Sequence, residues 1–400
     1  MDAKTNEHNS KRPKLVCIVT AAIHCSLFLC ESSAYLDANG FDVSLISSPG
    51  PEMNSKRIER VSIYGVPMKR EISPLEDIVS FWRLWRLLRR IGPDITDIGT
   101  PKAGLLGGMA AVLAGVPCRI HSLHGLRLET TTGLTRWILM CAEWIACRCA
   151  HRVICVSPSL RQRTIDLGLT EPAKTIVLAS GSCDGVEIER FLPTPKNLAR
   201  SEQIRNGLDL PKDVPVIGFV GRFTRDKGIP ELFEAYDKLR LEYPTLRLLL
   251  LGRFEDGDPV SPSLRLRIES DTSIVRPGFV ADTSPYYHLI DVAVLPTWRE
   301  GFPIMNIEAQ AAGKPVVTTR ATGAIDSVLD GETGLLVPVG DATALAQAIG
   351  SLLADPARRE EMGRNGQEWV STEFTNARVR SALVREYRSA IRERLRFDTR

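Results

Sequence analysis

The chain has 400 residues, of which 44% are apolar and 25% charged, with a formal net charge of +3. That length exceeds one ordinary core and suits two domains, and the mixture is that of a globular protein, not a disordered one. A charge this small says little about partners by itself, and nothing else in the chain points to nucleic acid.

Residues 1–13 read as a flexible polar tail without the apolar core of a secretory signal. Residues 14–192 then alternate short β-branched runs with helical stretches: strand 15–20, a helix up to Asn39-Gly40, and strand 41–48. Helix 76–91, strand 94–100, helix 103–115, strand 118–124, helix 133–150, strand 152–157, helix 159–167 and strand 174–180 follow. Strands separated by helices imply right-handed crossovers and a parallel sheet. The polar stretch 193–213, with Pro193, Pro195 and Pro211, reads as an inter-domain linker. The alternation restarts at strand 216–220 and continues through helix 229–241, strand 246–251, helix 263–270, strand 273–275 and a short helix near 284–289. Strand 292–296, helix 303–312, strand 316–319 and three helices between 342 and about 396 complete it. The expected architecture is α/β, two doubly wound Rossmann-like units with a ligand cleft between them. The second unit spans 214–375, and helix 376–400 is expected to pack back on the first.

No stretch reaches the roughly 20 apolar residues that cross a bilayer, since the run 137–147 is short and carries Glu143. The nine cysteines include no Cys-x-x-Cys pair. They suit reduced, buried thiols in a cytoplasmic protein that meets the inner face of the plasma membrane only peripherally.

Two segments carry chemistry. Gly221-Arg222-Phe223-Thr224-Arg225-Asp226-Lys227-Gly228 joins the first strand of the second unit to its first helix. A basic loop bracketed by glycines at a strand's carboxyl end suits phosphate, with Arg222 offering a planar fork and Lys227 a point charge. Pro296-Thr297-Trp298-Arg299-Glu300-Gly301-Phe302-Pro303 makes the same passage from a later strand and leads to Glu308. A helix start at Gly301 and Phe302 offers amides to an anion. Glu308 falls about five residues into the helix, roughly 7.5 Å further along its axis. Carboxylates so spaced cannot serve one atom as acid and base. They suit an extended ligand with hydroxyls at both ends and phosphates between, which is the shape of a nucleotide sugar.

The pattern Gly-Arg-(x)4-Lys-Gly followed by Glu-(x)7-Glu resembles the signature of the retaining glycosyltransferases of family 4, which have the GT-B fold. Gly278-Phe279-Val280, Gly313-Lys314-Pro315 and Gly331-Glu332-Thr333-Gly334 also resemble that family. Thr100-Pro101-Lys102 and His124-Gly125-Leu126-Arg127 are similar to its capsular and exopolysaccharide branch. The resemblance implies that Arg222 and Lys227 bind the donor diphosphate, together with Gly301 and Phe302. It also implies that Glu308 binds ribose, and that Glu300 and His124 act at the transferred sugar. The family's glycine pair after the first strand is replaced by Thr20-Ala21-Ala22-Ile23-His24, so no contact is carried over there.

The implied reaction moves a hexosyl or N-acetylhexosaminyl group from a UDP-linked donor to a saccharide or polyprenyl-diphosphate-linked acceptor, without metal or other cofactor. Asp256-Gly257-Asp258, which imitates a manganese-binding Asp-x-Asp, reads as a solvated turn. Readings left open are an epimerase or a phosphorylase on the same fold, the latter needing pyridoxal phosphate, and an inactive nucleotide-sugar-binding protein. In helix 78–91, Phe81, Leu84, Trp85, Leu87, Leu88 and Ile91 form the apolar arc at about 100° per residue. Trp82 falls outside it among Arg83, Arg86, Arg89 and Arg90, a combination that suits an anionic membrane as well as a solvated face.

Overall fold

The computed structural model describes residues 12–21, 30–50, 60–69, 71 and 73–397. Residues 1–11 of the expected tail and residues 22–24 of the loop after the first strand lie outside the described residues. Arg12 donates to the Asp37 carbonyl at 2.6 Å and pairs with its carboxylate.

The first unit runs β1 (Lys14–Ile18), α1 (Cys30–Ala38), β2 (Asp42–Ser47), β3 (Ser62–Gly65), α2 (Pro74–Ile91), β4 (Ile95–Gly99) and α3 (Pro101–Leu113). It continues through β5 (Cys118–Leu123), α4 (Gly133–Cys149), β6 (Arg152–Cys155), α5 (Pro158–Asp166) and β7 (Thr175–Val177). After α6 (Pro195–Gly207), the second unit runs β8 (Val216–Val220), α7 (Ile229–Glu242), β9 (Arg247–Leu251), α8 (Pro262–Ser270), β10 (Ile274–Gly278), α9 (Ser284–Tyr287) and β11 (Val292–Leu295). It ends with α10 (Ile304–Ala311), β12 (Val316–Thr319), β13 (Gly334–Val337), α11 (Ala342–Ala354), α12 (Pro356–Glu373) and α13 (Asn376–Phe397).

Both sheets are parallel. The first has seven strands in the order β3-β2-β1-β4-β5-β6-β7, and the second six in the order β10-β9-β8-β11-β12-β13. Helices cover each sheet on both faces, which is why strands such as Val216–Val220 and Val292–Leu295 are apolar throughout and not alternating. The order of each sheet reverses once, between β1 and β4 and between β8 and β11. Crevices open at such reversals, so the chemistry-bearing loops after β8 and β11 share one crevice.

The polar segment read as a linker contains α6, a capped helix. The Thr194 hydroxyl accepts from the Asn197 amide, and Pro195 occupies the first turn. Its buried side is a small polar one, which apolar periodicity does not detect: Ser201 donates to the Pro285 carbonyl at 2.7 Å, and Arg200 binds Asp282. β3 and β13, not expected from the sequence, are edge strands that each contain a glycine and are only partly buried, so they lack the continuous apolar run of the inner strands.

The chain returns to the first unit at its end. Along α13, Ala382, Val384, Tyr387, Ala390 and Ile391 join the cluster that includes β1, β2 and α1. The Tyr387 ring meets Phe41 edge-on at 6.0 Å between centroids, and its hydroxyl donates to the half-buried Asp97. Arg380 grips Asp184 with two bonds of 2.6 and 2.8 Å, and Ser32 adds a third at 2.6 Å. In α2, Leu84 and Leu88 are buried and Trp82 lies half-exposed against Phe81 and Trp85. Cys141 is exposed, unlike Cys17, Cys118, Cys147 and Cys155, because its position on α4 turns away from the sheet.

Candidate active site

The loops after β8 and β11 are locked to each other. Thr297 Oγ1 and the Trp298 amide both donate to the Asp226 carbonyl, at 3.0 and 2.8 Å. Gly228, at φ +73°, lies so close to the end of β11 that a Cβ would stand 1.8 Å from the Pro296 carbonyl oxygen. Only glycine satisfies both the left-handed backbone and that approach.

This geometry brings Lys227 onto Glu300. The ammonium binds the carboxylate directly, and both side chains are largely shielded from water. Arg222 pairs with Glu255 in the same way but stays partly open to solvent. Burial disfavours its charge, yet the bond from Glu255 and the nearby Asp226 and Glu300 leave the guanidinium more firmly protonated than usual. Arg299 binds Asp226 at 2.6 Å, and Asp226 also accepts from Thr224 at 2.6 Å. Its carboxyl is held below the ordinary range: burial would raise it, but Arg299, Thr224 and Lys227 outweigh that.

Glu308 sits deeper, on α10. Its Oε2 accepts from Tyr287 at 2.8 Å and Thr283 at 3.3 Å. Burial pushes its carboxyl up to about 7 despite those bonds. The site therefore holds a carboxylate already engaged by a cation at one end, and at the other a carboxyl that keeps its proton to higher pH than usual.

Asp258 corrects the reading of Asp256-Gly257-Asp258 as a solvated turn. Its carboxylate accepts from the Asp226 amide at 2.7 Å and from Arg225 at 2.9 Å, so it props the basic loop from behind. The Phe302 ring is buried against Phe374, with centroids 5.1 Å apart, and beside Gly181, which anchors the turn that carries the Gly301 and Phe302 amides.

His124 is exposed at the carboxyl end of β5, with its ring 3.1 Å from the Cβ position of Gly99. The two units touch most closely here. A Cβ on Gly301 would stand 2.1 Å from the His124 carbonyl oxygen, and one on Gly125 3.1 Å from the Gly301 amide. Backbone thus meets backbone across the cleft, putting His124 beside Glu300 and Gly301. Around this point Arg299 donates to Thr130 at 2.9 Å, Thr322 to Glu129 at 2.8 Å, and the Gly323 amide to Ser159 at 2.7 Å.

The site thus contains Arg222, Lys227, Glu300, Gly301 and His124 as one group, with Glu308 further along the same crevice. Sequence reasoning gave no role to Glu255, Asp226 or Arg299 and the wrong one to Asp258. Asp226 and Arg299 lie inside the two motifs and were open to notice. Glu255 and Asp258 sit on a separate loop after β9, and only the fold brings them near.

Residues 27–181 match the family described as Glycosyltransferase Family 4, and residues 200–369 the family described as Glycosyl transferases group 1. The capsular polysaccharide biosynthesis glycosyltransferase CapM of Staphylococcus aureus is 36% identical over 360 residues, 90% of this chain and 93% of its own. The UDP-Gal:alpha-D-GlcNAc-diphosphoundecaprenol alpha-1,3-galactosyltransferase of Escherichia coli is 28% identical over 320 residues, 77% of this chain and 79% of its own. Sucrose-phosphate synthase from Thermosynechococcus elongatus shares the fold, with a TM-score of 0.79 at 22% identity over 94% of this chain and 99% of that one. Two parallel Rossmann-like units, the paired basic and acidic motifs at their cleft and this kinship give one conclusion: the chain belongs to the family 4 glycosyltransferases of GT-B fold, and serves capsular or cell-envelope polysaccharide biosynthesis.

Proposed function

We propose that the protein is a retaining glycosyltransferase that moves a hexosyl or N-acetylhexosaminyl group from a UDP-linked donor to a saccharide on a polyprenyl-diphosphate carrier, without a metal ion. The observation that carries the reading is the Lys227–Glu300 pair beside Arg222, facing His124 where the two units touch. UDP and the polyprenyl carrier are favoured because the name of the Escherichia coli relative specifies both.

In this reading the resting site holds its own counter-charges. Glu300 occupies Lys227 and Glu255 occupies Arg222 until the donor diphosphate displaces both carboxylates. Lys227 and Arg222 then stabilise the charge that grows on the leaving phosphate. Glu300, released, turns to hydroxyls of the donor sugar with His124 opposite. Glu308 accepts hydrogen bonds from the ribose diol. The acceptor hydroxyl attacks the anomeric carbon on the face from which UDP leaves, and a departing phosphate oxygen takes its proton. That stereochemical course follows family resemblance. What supports a metal-free site is that Asp258, one half of the Asp-x-Asp, already has both oxygens engaged by Arg225 and the Asp226 amide.

Titration calorimetry with UDP in the presence of EDTA tests the reading. Wild type should bind, and Lys227→Ala should bind at least about tenfold more weakly, since truncating one partner of a buried charge pair costs about 2–5 kcal/mol. Unchanged affinity would move the donor elsewhere. Transfer abolished by EDTA and restored by manganese would overturn the metal-free course.

A further inference from the structure

The face of the first unit formed by α2 and α4 carries an apolar strip that the catalytic reading does not use. On α4, Leu134 is 77% exposed, Trp137 63% and Trp144 49%, with Ile138 and Cys141 exposed between them. At about 100° per residue these five positions fall within one arc of roughly 120°. The opposite side of the helix is the packed one, with Glu143, Ala146 and Cys147 buried. Leu75, Ile78, Val79 and Trp82 form a second exposed stripe along α2, at the helical spacing of one face. α3 packs between α2 and α4, so both stripes belong to one layer of helices.

The charge around the strip is one-sided. Arg83, Arg86, Arg89 and Arg90 follow the α2 stripe, and Arg148 stacks on Trp144 at 5.9 Å. The acids of α2 are Glu76 and Asp77, bonded to Lys69 and Lys102; α3 has none, and the single one of α4, Glu143, is buried. Self-association through this face would bring arginine rows together in one interface, whereas an anionic bilayer rewards the rings and the arginines alike. Among the described residues no helix is long and apolar enough to cross a membrane, so such a contact is lateral.

We infer that α2 and α4 form a docking surface for an anionic phospholipid bilayer, with Leu134, Trp137, Ile138 and Trp144 entering the headgroup region and the α2 arginines meeting lipid phosphates. Crossover helices start at the carboxyl ends of strands, so the apolar N-terminal halves of α2 and α4 lie toward the cleft. Thr130, three residues before α4, touches Arg299 of the site. Docking by this face sets the mouth of the cleft at the lipid surface. The inference deepens the reading of a lipid-borne acceptor, but its test needs neither donor nor acceptor.

The experiment is co-sedimentation with vesicles of phosphatidylcholine alone or mixed with phosphatidylglycerol, together with tryptophan emission. Wild type should sediment with the mixed vesicles only, with a blue-shifted emission. The double variant Trp137→Ser, Trp144→Ser should lose at least about tenfold in binding and most of the shift. The triple variant Arg83→Ser, Arg86→Ser, Arg90→Ser should lose up to about fivefold per charge, in a salt-dependent way. Both variants should keep wild-type circular dichroism and UDP affinity, which separates lost docking from lost folding. Equal sedimentation by wild type and both variants overturns the inference, as does no binding to the mixed vesicles. A lipid-free dimer in sedimentation velocity that the tryptophan variant abolishes also overturns it, and assigns the face to a second copy. Failure of UDP to bind would refute the donor reading and leave the vesicle result standing.

Discussion

Glu308 is the group through which pH should act on this protein. Burial has pushed its carboxyl up to about 7 from an ordinary 4.5, although Tyr287 and Thr283 donate to it. The folded protein therefore holds this proton more tightly than the unfolded chain, and stability falls as pH rises from about 4.5 through about 7. The gap converts, at about 1.4 kcal/mol per pH unit, to about 3 kcal/mol as an upper bound. Glu308→Gln preserves the shape and stays neutral. Its stability relative to wild type should be flat below pH 4.5 and rise by up to about 3 kcal/mol above pH 7. Ligand acts in the opposite sense, because a ribose diol donates to the ionised form and lowers its pKa. Wild-type affinity for UDP should rise more steeply from pH 6 to pH 8 than that of Glu308→Gln, which binds weakly and keeps only the dependence contributed by the terminal phosphate of UDP itself. Urea unfolding and titration calorimetry across this range give both numbers. A stability difference between variant and wild type that does not change with pH would refute the burial argument. Parallel pH profiles for UDP would refute the ribose contact.

Gly301→Ala should separate the units where they touch, because its Cβ would stand 2.1 Å from the His124 carbonyl oxygen. A displacement of about 1 Å there should cost on the order of a hundredfold in kcat. A kcat within about threefold of wild type would mean that the contact does not position the reacting groups. Asp258→Asn should loosen the basic loop and weaken UDP binding by about 1–3 kcal/mol, with no rescue by manganese; rescue would revive the metal reading. Tyr387→Phe leaves the half-buried Asp97 without one donor and should cost about 1–3 kcal/mol of stability, read by urea unfolding, with UDP affinity unchanged.

The sequence alone determined the parts whose signal is local. Apolar runs between helical stretches gave the two parallel units, and glycines around Arg222, Lys227 and Glu300 marked loops suited to an anion. It missed α6 because the buried side of that helix is Ser201 and not an apolar stripe. It misjudged Asp258 because the direction of a side chain at a loop depends on what packs against it, and for Asp258 that is the backbone of Asp226. Only the tertiary structure decided that the basic groups rest on Glu255 and Glu300, and that Gly125 meets Gly301 across the cleft. It alone decided that one side of α4, with Leu134, Trp137 and Trp144, is exposed. Each of these joins residues far apart in the chain. Periodicity and spacing report what a segment buries, but not which distant segment covers it.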